Sequence, residues 1–151
     1  MADDATNEAV VTTRQLVNEY LAGAFDEVEV ADGVWTIRYG SAKVDITVDV
    51  FDEDSSVVRV VSPAVTGCAP SPELYKFIAT DAPKHAFGHL EAIEQGDTIT
   101  ITFGHSLLGD FLDDAELRTA VIAVAFTADE LDDELAARFG GQVHDASGNH
   151  S

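Results

Sequence analysis

The last third of the chain, Asp97 to Gly141, constrains the fold more than any other stretch. Thr98-Ile99-Thr100-Ile101-Thr102-Phe103 alternates polar and apolar residues with the period of two of a half-buried strand. A short polar turn follows. Then Leu117, Val121, Val124, Ala128, Leu131 and Leu135 recur at steps of four and three, which is one face of an α-helix. Acids crowd the opposite face. Asp113-Asp114-Ala115-Glu116 has the form of a capping box, and Gly140-Gly141 ends the helix. A strand that delivers a helix with one apolar face needs a sheet on which to lay that face.

The rest of the chain supplies the sheet. A first helix is predicted from Glu8 to Ala24, with Val10, Val17, Tyr20, Leu21 and Ala24 broadly on one side. The period then changes to two. Val28 and Val30 precede an Asp32-Gly33 turn, and Trp35, Ile37 and Tyr39 alternate with polar residues. Val44, Ile46, Val48 and Val50 alternate with Lys43, Asp45, Thr47 and Asp49. Val57 to Val61 is β-branched and is expected to end at Pro63, with Ala64 to Pro70 a loop. Ser71-Pro72-Glu73 places a capping Ser and a first-turn Pro at the start of a second helix that should stop near Thr80, before Pro83. Residues 86 to 93 and 98 to 105 read as a hairpin turning at Gln95-Gly96-Asp97. The expected architecture is an α+β domain: an antiparallel sheet of roughly five strands, meander plus hairpin, with N-terminal, middle and C-terminal helices. One domain spans 1–151, its core running from about residue 9 to 141, between a flexible acidic lead and a polar tail from Gln142 to Ser151.

Charge narrows the function. The chain carries 28 acids against 8 bases, a net charge of -20. Such a field repels phosphate backbones and anionic membranes, and favours basic or amphipathic protein partners. The same charge also serves solubility, or a salt-rich habitat. Met1-Ala2-Asp3-Asp4 lacks the basic and apolar regions of a secretory signal, so the expected location is the cytoplasm. Cys68 stands alone, with no neighbour to activate it.

Three local features resemble the YbjN family within the type III secretion chaperone-like fold. They are the helix start Ser71-Pro72-Glu73-Leu74 and the strand Ala86-Phe87-Gly88-His89-Leu90, with its Gly-Asp turn and Ile99-Thr100-Ile101. The third is the closing helix Leu117, Ala120, Val124-Ala125, Ala128-Asp129 and Leu135 with its terminal glycines. The resemblance covers roughly residues 9 to 141. It implies a small, acidic, non-enzymatic and dimer-forming protein that binds an extended or amphipathic segment of a client. It implies no catalytic residues and no cofactor.

Candidate sites follow from the residues. Aromatic and aliphatic side chains on the first helix and the Trp35 strand suit a client's apolar anchors: Val17, Tyr20, Leu21, Trp35, Ile37 and Tyr39, some of which must instead be core. Tyr20 and Trp35 are the best single candidates, each with an apolar body and a polar tip. An open sheet edge could add a client strand. The alternative from a different class is a small metal-dependent or ligand-binding enzyme using His85, His89, His105 and nearby acids such as Glu91. It requires helix through Lys84 to Leu90, because in a strand residues four apart lie about 13 Å from each other. Acid pairs such as Asp113-Asp114 and Asp132-Asp133 read as solvated surface.

Overall fold

The structure is a computed structural model and describes residues 7–143. Three helices lie on one side of a seven-stranded antiparallel sheet. The helices are α1 (Glu8–Ala24), α2 (Pro72–Asp81) and α3 (Asp114–Phe139). The strands are β1 (Glu29–Ala31), β2 (Val34–Tyr39), β3 (Ala42–Asp52), β4 (Ser55–Cys68), β5 (His89–Gln95), β6 (Thr98–Leu108) and β7 (Gln142–Val143). Their order is β1-β2-β3-β4-β6-β5, and β7 pairs with β4.

Each helix starts where its side chains can satisfy free N–H groups. Asn7 Oδ1 accepts from Val10 N–H at 3.1 Å, Ser71 Oγ from Leu74 N–H at 3.1 Å, and Asp113 Oδ1 from Glu116 N–H at 2.8 Å. The register then sorts the sheet into two faces. Trp35 lies opposite Ile46, Ile46 opposite Val60, Val60 opposite His105, and Leu90 opposite Phe103. These residues share the face covered by the helices. The other face carries Arg38, Lys43, Arg59, Thr102 and Glu91, and none of the three helices packs on it among the described residues. α3 crosses the sheet centre over β3, β4 and β6, α1 lies over β3 and β4, and α2 lies beside β5. Val10, Val17, Leu21, Leu117, Val121, Val124 and Leu135 are all essentially fully buried between these layers.

The structure revises several boundaries. Pro63 does not end its strand. β4 continues to Cys68 and buries Ala64, Val65 and Cys68, with register shifts at Pro63/Val65 and Val65/Cys68. Pro63 stays in register opposite Thr102, and its missing N–H falls on the β3 side, where pairing has already ended at Val61, so the ladder to β6 survives proline. The roughly five strands expected become seven. One addition is β7, which pairs Val143 with Val65 and Gln142 with Thr66, so the sheet takes in the first two residues expected in the tail. The remainder of that tail and the acidic lead lie outside the described residues. Leu131, on the apolar face of α3, is only half-buried. The hairpin forms, but from His89 to Gln95 and from Thr98 to Leu108. Residues 85 to 88 leave the sheet because Gly88 adopts φ +91 against the Phe103 ring, a conformation that turns the chain away from β6.

Candidate functional site

The six residues expected to line a groove have two fates. Val17, Leu21, Trp35 and Ile37 are at most 5% exposed and belong to the core. α1 and β2 do meet, as Trp35 Nε1 donates to Asn18 Oδ1 at 3.2 Å. They close on each other and leave no groove at those four positions. Tyr20 is half-buried, with its hydroxyl donating to Leu112 O at 3.4 Å, and Tyr39 is 47% exposed at the end of β2.

The histidines are separated. His85 Nε2 meets the buried carboxylate of Asp81 at 2.6 Å, at the end of α2, and its ring lies edge-on to Phe103. His89 meets Glu91 at 2.8 Å on the uncovered face of the sheet. His105 sits on the helix-covered face. Among the described residues, no three His, Cys, Asp or Glu side chains come together to hold a metal ion. The helix on which the metal reading depended is absent, since residues 89–95 are strand.

Of the acid pair Asp132-Asp133, Asp133 is exposed as expected and Asp132 is not. Asp132 is 3% exposed, and its Oδ2 is hydrogen-bonded to Ser41 Oγ. Asp129 Oδ1 accepts from Ser41 N–H at 2.8 Å and Oγ–H at 2.6 Å. Burial raises the Asp132 pKa, while the two Ser41 donors lower that of Asp129. The cluster ties the β2–β3 turn to α3. Cys68 is buried, its thiol pKa raised by burial, and its Sγ lies 3.4 Å from Gly140 O. Nothing there activates a nucleophile.

The cleft that does remain open lies on the far side of α3. It holds ≈ 280 Å³ between the first turns of α3, the Phe87 loop and the end of β6. His105 and Leu107 form its floor, Phe87 one wall, and Ala115, Thr119 and Ala120 the other. The Phe87 and His105 rings meet edge-on, with centroids 5.9 Å apart. Burial and the charge of nearby His89 lower the His105 pKa, so the floor is uncharged at neutral pH. Asp113 and Glu116 stand at the rim, and neither is ion-paired among the described residues. An apolar cleft with an acidic rim suits an apolar side chain flanked by positive charge. A second, wider hollow of ≈ 680 Å³ lies at the start of α1, lined by Glu8, Glu53, Asp54, Asp110 and the 93% exposed Phe111. Its lining is largely acidic and polar.

The α3 cleft was not foreseen. Its apolar parts, Phe87, Leu107 and Ala120, come from three segments, and no local spacing in the chain joins them. Gly88 was the one signal, because it ends β5 early and frees Phe87 from the ladder.

The fold and sequence were compared with known proteins. The crystal structure of YbjN from E. coli superposes with a TM-score of 0.53 over 80% of this chain and 92% of that one, at 11% identity. At that identity the likeness establishes the fold alone. No curated protein matches. A family model described as T3SS (YopN, CesT) and YbjN peptide-binding chaperone 1, or TY-Chap1, matches residues 12–147. That span covers nearly the whole domain, from the first turns of α1 past β7, and the protein therefore belongs to the TY-Chap1 family.

Proposed function

We propose that this protein is a non-enzymatic chaperone-like module that binds an extended or amphipathic segment of a client protein. The observation that carries the reading is an apolar cleft with an acidic rim at the surface of a chain whose net charge is -20. The family's description as peptide-binding supports it. Such a surface holds a client by burying its apolar anchors while the surrounding acids select basic or neutral flanks. No helix among the described residues is long and apolar enough to cross a membrane. The module works in the cytoplasm, and pairs with a second copy through a sheet edge: among the described residues, nothing pairs with the outer sides of β1 and β5. Of the six residues first read as a groove, Tyr20 and Tyr39 keep enough surface to touch a client.

The test is a peptide array scored by fluorescence anisotropy. Peptides with one large apolar residue flanked by lysines are expected to bind. The same peptides flanked by glutamates are expected to bind at least about tenfold more weakly, a difference of about 1.4 kcal/mol. An array in which no peptide binds at micromolar protein defeats the proposal.

A further inference from the structure

Phe111 is the most exposed large apolar residue among those described, with 93% of its surface open. It is also held in a backbone conformation that a ring disfavours. Leu112 N–H donates to Gly109 O at 3.3 Å and closes a turn with Asp110 and Phe111 at its centre. Phe111 takes φ 64 there, in the left-handed region. That place in a turn suits glycine or asparagine, and a bulky residue occupies it only under strain. The turn itself is needed, because Gly109 N–H is bonded to Ser56 O at 2.8 Å and Leu112 is buried in the core. The ring is not needed for it. Glycine would make the same turn without strain. The strain therefore brings no burial within the chain, and strain held at an exposed aromatic residue points to a role outside it.

The surroundings define that role. Ser56 on β4 lies between Val50 of β3 and Gly109, so Phe51 and the turn are two strand spacings apart, about 10 Å. Phe51 is itself 69% exposed. The hollow of ≈ 680 Å³ beside Phe111 is lined by Ala9 and Leu16 and by the acids Glu8, Glu53, Asp54 and Asp110. Among the described residues none of these acids is ion-paired, and no base lines the hollow.

We infer that this end of the sheet docks a second, folded protein, one that receives the Phe111 ring in an apolar pocket rimmed by lysine or arginine. A ring that projects needs a concave receiver, which an extended peptide does not supply. The unpaired acids around it set the sign of the receiver's rim. They repel an anionic membrane, and also a second copy of this chain, whose net charge is -20. The inference goes beyond the peptide-binding reading. The hollow and the α3 cleft share no lining residue and lie on opposite sides of the β6–α3 connection. A partner and a client can therefore be held together.

Two measurements on the intact protein test this. The first is stability. Phe111→Gly is expected to melt about 2–4 °C higher than the parent, because it relieves the turn. A lower or unchanged melting temperature shows that the ring supports its own turn, and overturns the inference. The second is calorimetric titration with β-cyclodextrin aminated around one rim, an apolar cavity ringed by positive charge. This host is expected to bind the parent at least about tenfold more tightly than it binds Phe111→Gly. It should also exceed neutral β-cyclodextrin on the parent by about tenfold, a margin that added salt reduces. An aminated host that binds the parent and Phe111→Gly alike responds to net charge alone, and overturns the inference. Equal binding of the two hosts removes the basic rim and does the same. Phe111-dependent dimers in sedimentation make the occupant a second copy, and Phe111-dependent flotation with phosphatidylcholine vesicles makes it a membrane; either result overturns the assignment. Lysine-flanked client peptides are expected to bind Phe111→Gly as well as the parent. Loss of that binding merges the turn with the client surface and overturns the separate site. Failure of every peptide on the array, with the host results as expected, defeats the peptide-binding reading and upholds this one.

Discussion

Asp129 and Asp132 sit one helical turn apart and share Ser41, yet their replacement by asparagine should change stability in opposite directions. The reason is a count of protons. Ser41 Oγ is hydrogen-bonded to Asp129 and Asp132, but the hydroxyl has one proton to give. It goes to Asp129 Oδ1, which also accepts the Ser41 N–H. The contact with Asp132 is then complete only when that carboxyl is protonated and donates. The directions of the pKa shifts agree: Asp132 is raised by burial, Asp129 lowered by its two donors. For Asp132, a pKa raised on folding gives a contribution fully present below the unfolded value near about 3.9 and lost as pH rises through the folded value. For Asp129 the sign reverses: its contribution is present above about 3.9 and lost as pH falls through its lowered value. At pH 7 the Asp132→Asn amide donates to Ser41 Oγ without a buried charge. Each unit by which burial raised the acid returns about 1.4 kcal/mol. A gain of about 1 kcal/mol is therefore expected, or a melting temperature about 2–4 °C higher for a chain of this length. Asp129→Asn should lose about 1–2 kcal/mol at the same pH, since a charged acceptor of two donors becomes neutral at a partly exposed site. Urea denaturation at pH 4 and pH 7 measures both. At pH 4 the advantage of Asp132→Asn should shrink toward zero. An Asp132→Asn protein destabilised at pH 7 as much as Asp129→Asn, or a difference that ignores pH, refutes the proton count.

Three further outcomes are expected. Val124 is fully buried under α3, so Val124→Asp should cost roughly 3 kcal/mol or more, read as a collapse of the thermal transition. Gly88→Ala forces φ +91 on a residue with a Cβ that would sit 2.5 Å from Phe103 Cε1; it should cost more than about 1 kcal/mol by the same assay. Self-association works against a charge of -20, so the proposed pairing of two copies should strengthen with salt, and sedimentation at micromolar protein showing a monomer at both low and high salt contradicts it.

Periodicity made the elements legible and left their limits obscure. α1 was read from Glu8 to Ala24 and occupies those residues, since Asn7 and the apolar spacing both act locally. The α3 face was equally clear. β4 ran on past Pro63 because β3 has stopped pairing at Val61 and asks no N–H of the proline: only the neighbouring strands decide that a proline can stay inside the sheet. Gln142–Val143 reads as tail by composition and becomes strand because Gly140-Gly141 returns the chain to β4, a partner far away in sequence. Asp132 carries no local mark of burial. Its helix position lies on the margin between core and acidic face, and the Ser41 turn decides the side.

The site was harder to read than the fold for a definite physical reason. Alternation along β2 correctly gave Trp35 and Ile37 a shared face, but a face is a direction and says nothing about whether a helix covers it. α1 covers that one, and the candidate groove became core. The surface that stayed open arises from a mismatch in length. β6 keeps its alternation to Leu108, whereas Gly88 ends β5 at His89. Neither strand alone shows a vacancy, but the register shows it at once, because among the described residues Gly104 is the last of β6 with a partner on that side. Thr119 is exposed and uncharged at the margin of the cleft, and Ala120 beside it is buried. A strand can approach the sheet only where nothing bulky or strongly solvated stands above it, and among the described residues this is the place where an unpaired strand edge and an apolar cleft coincide.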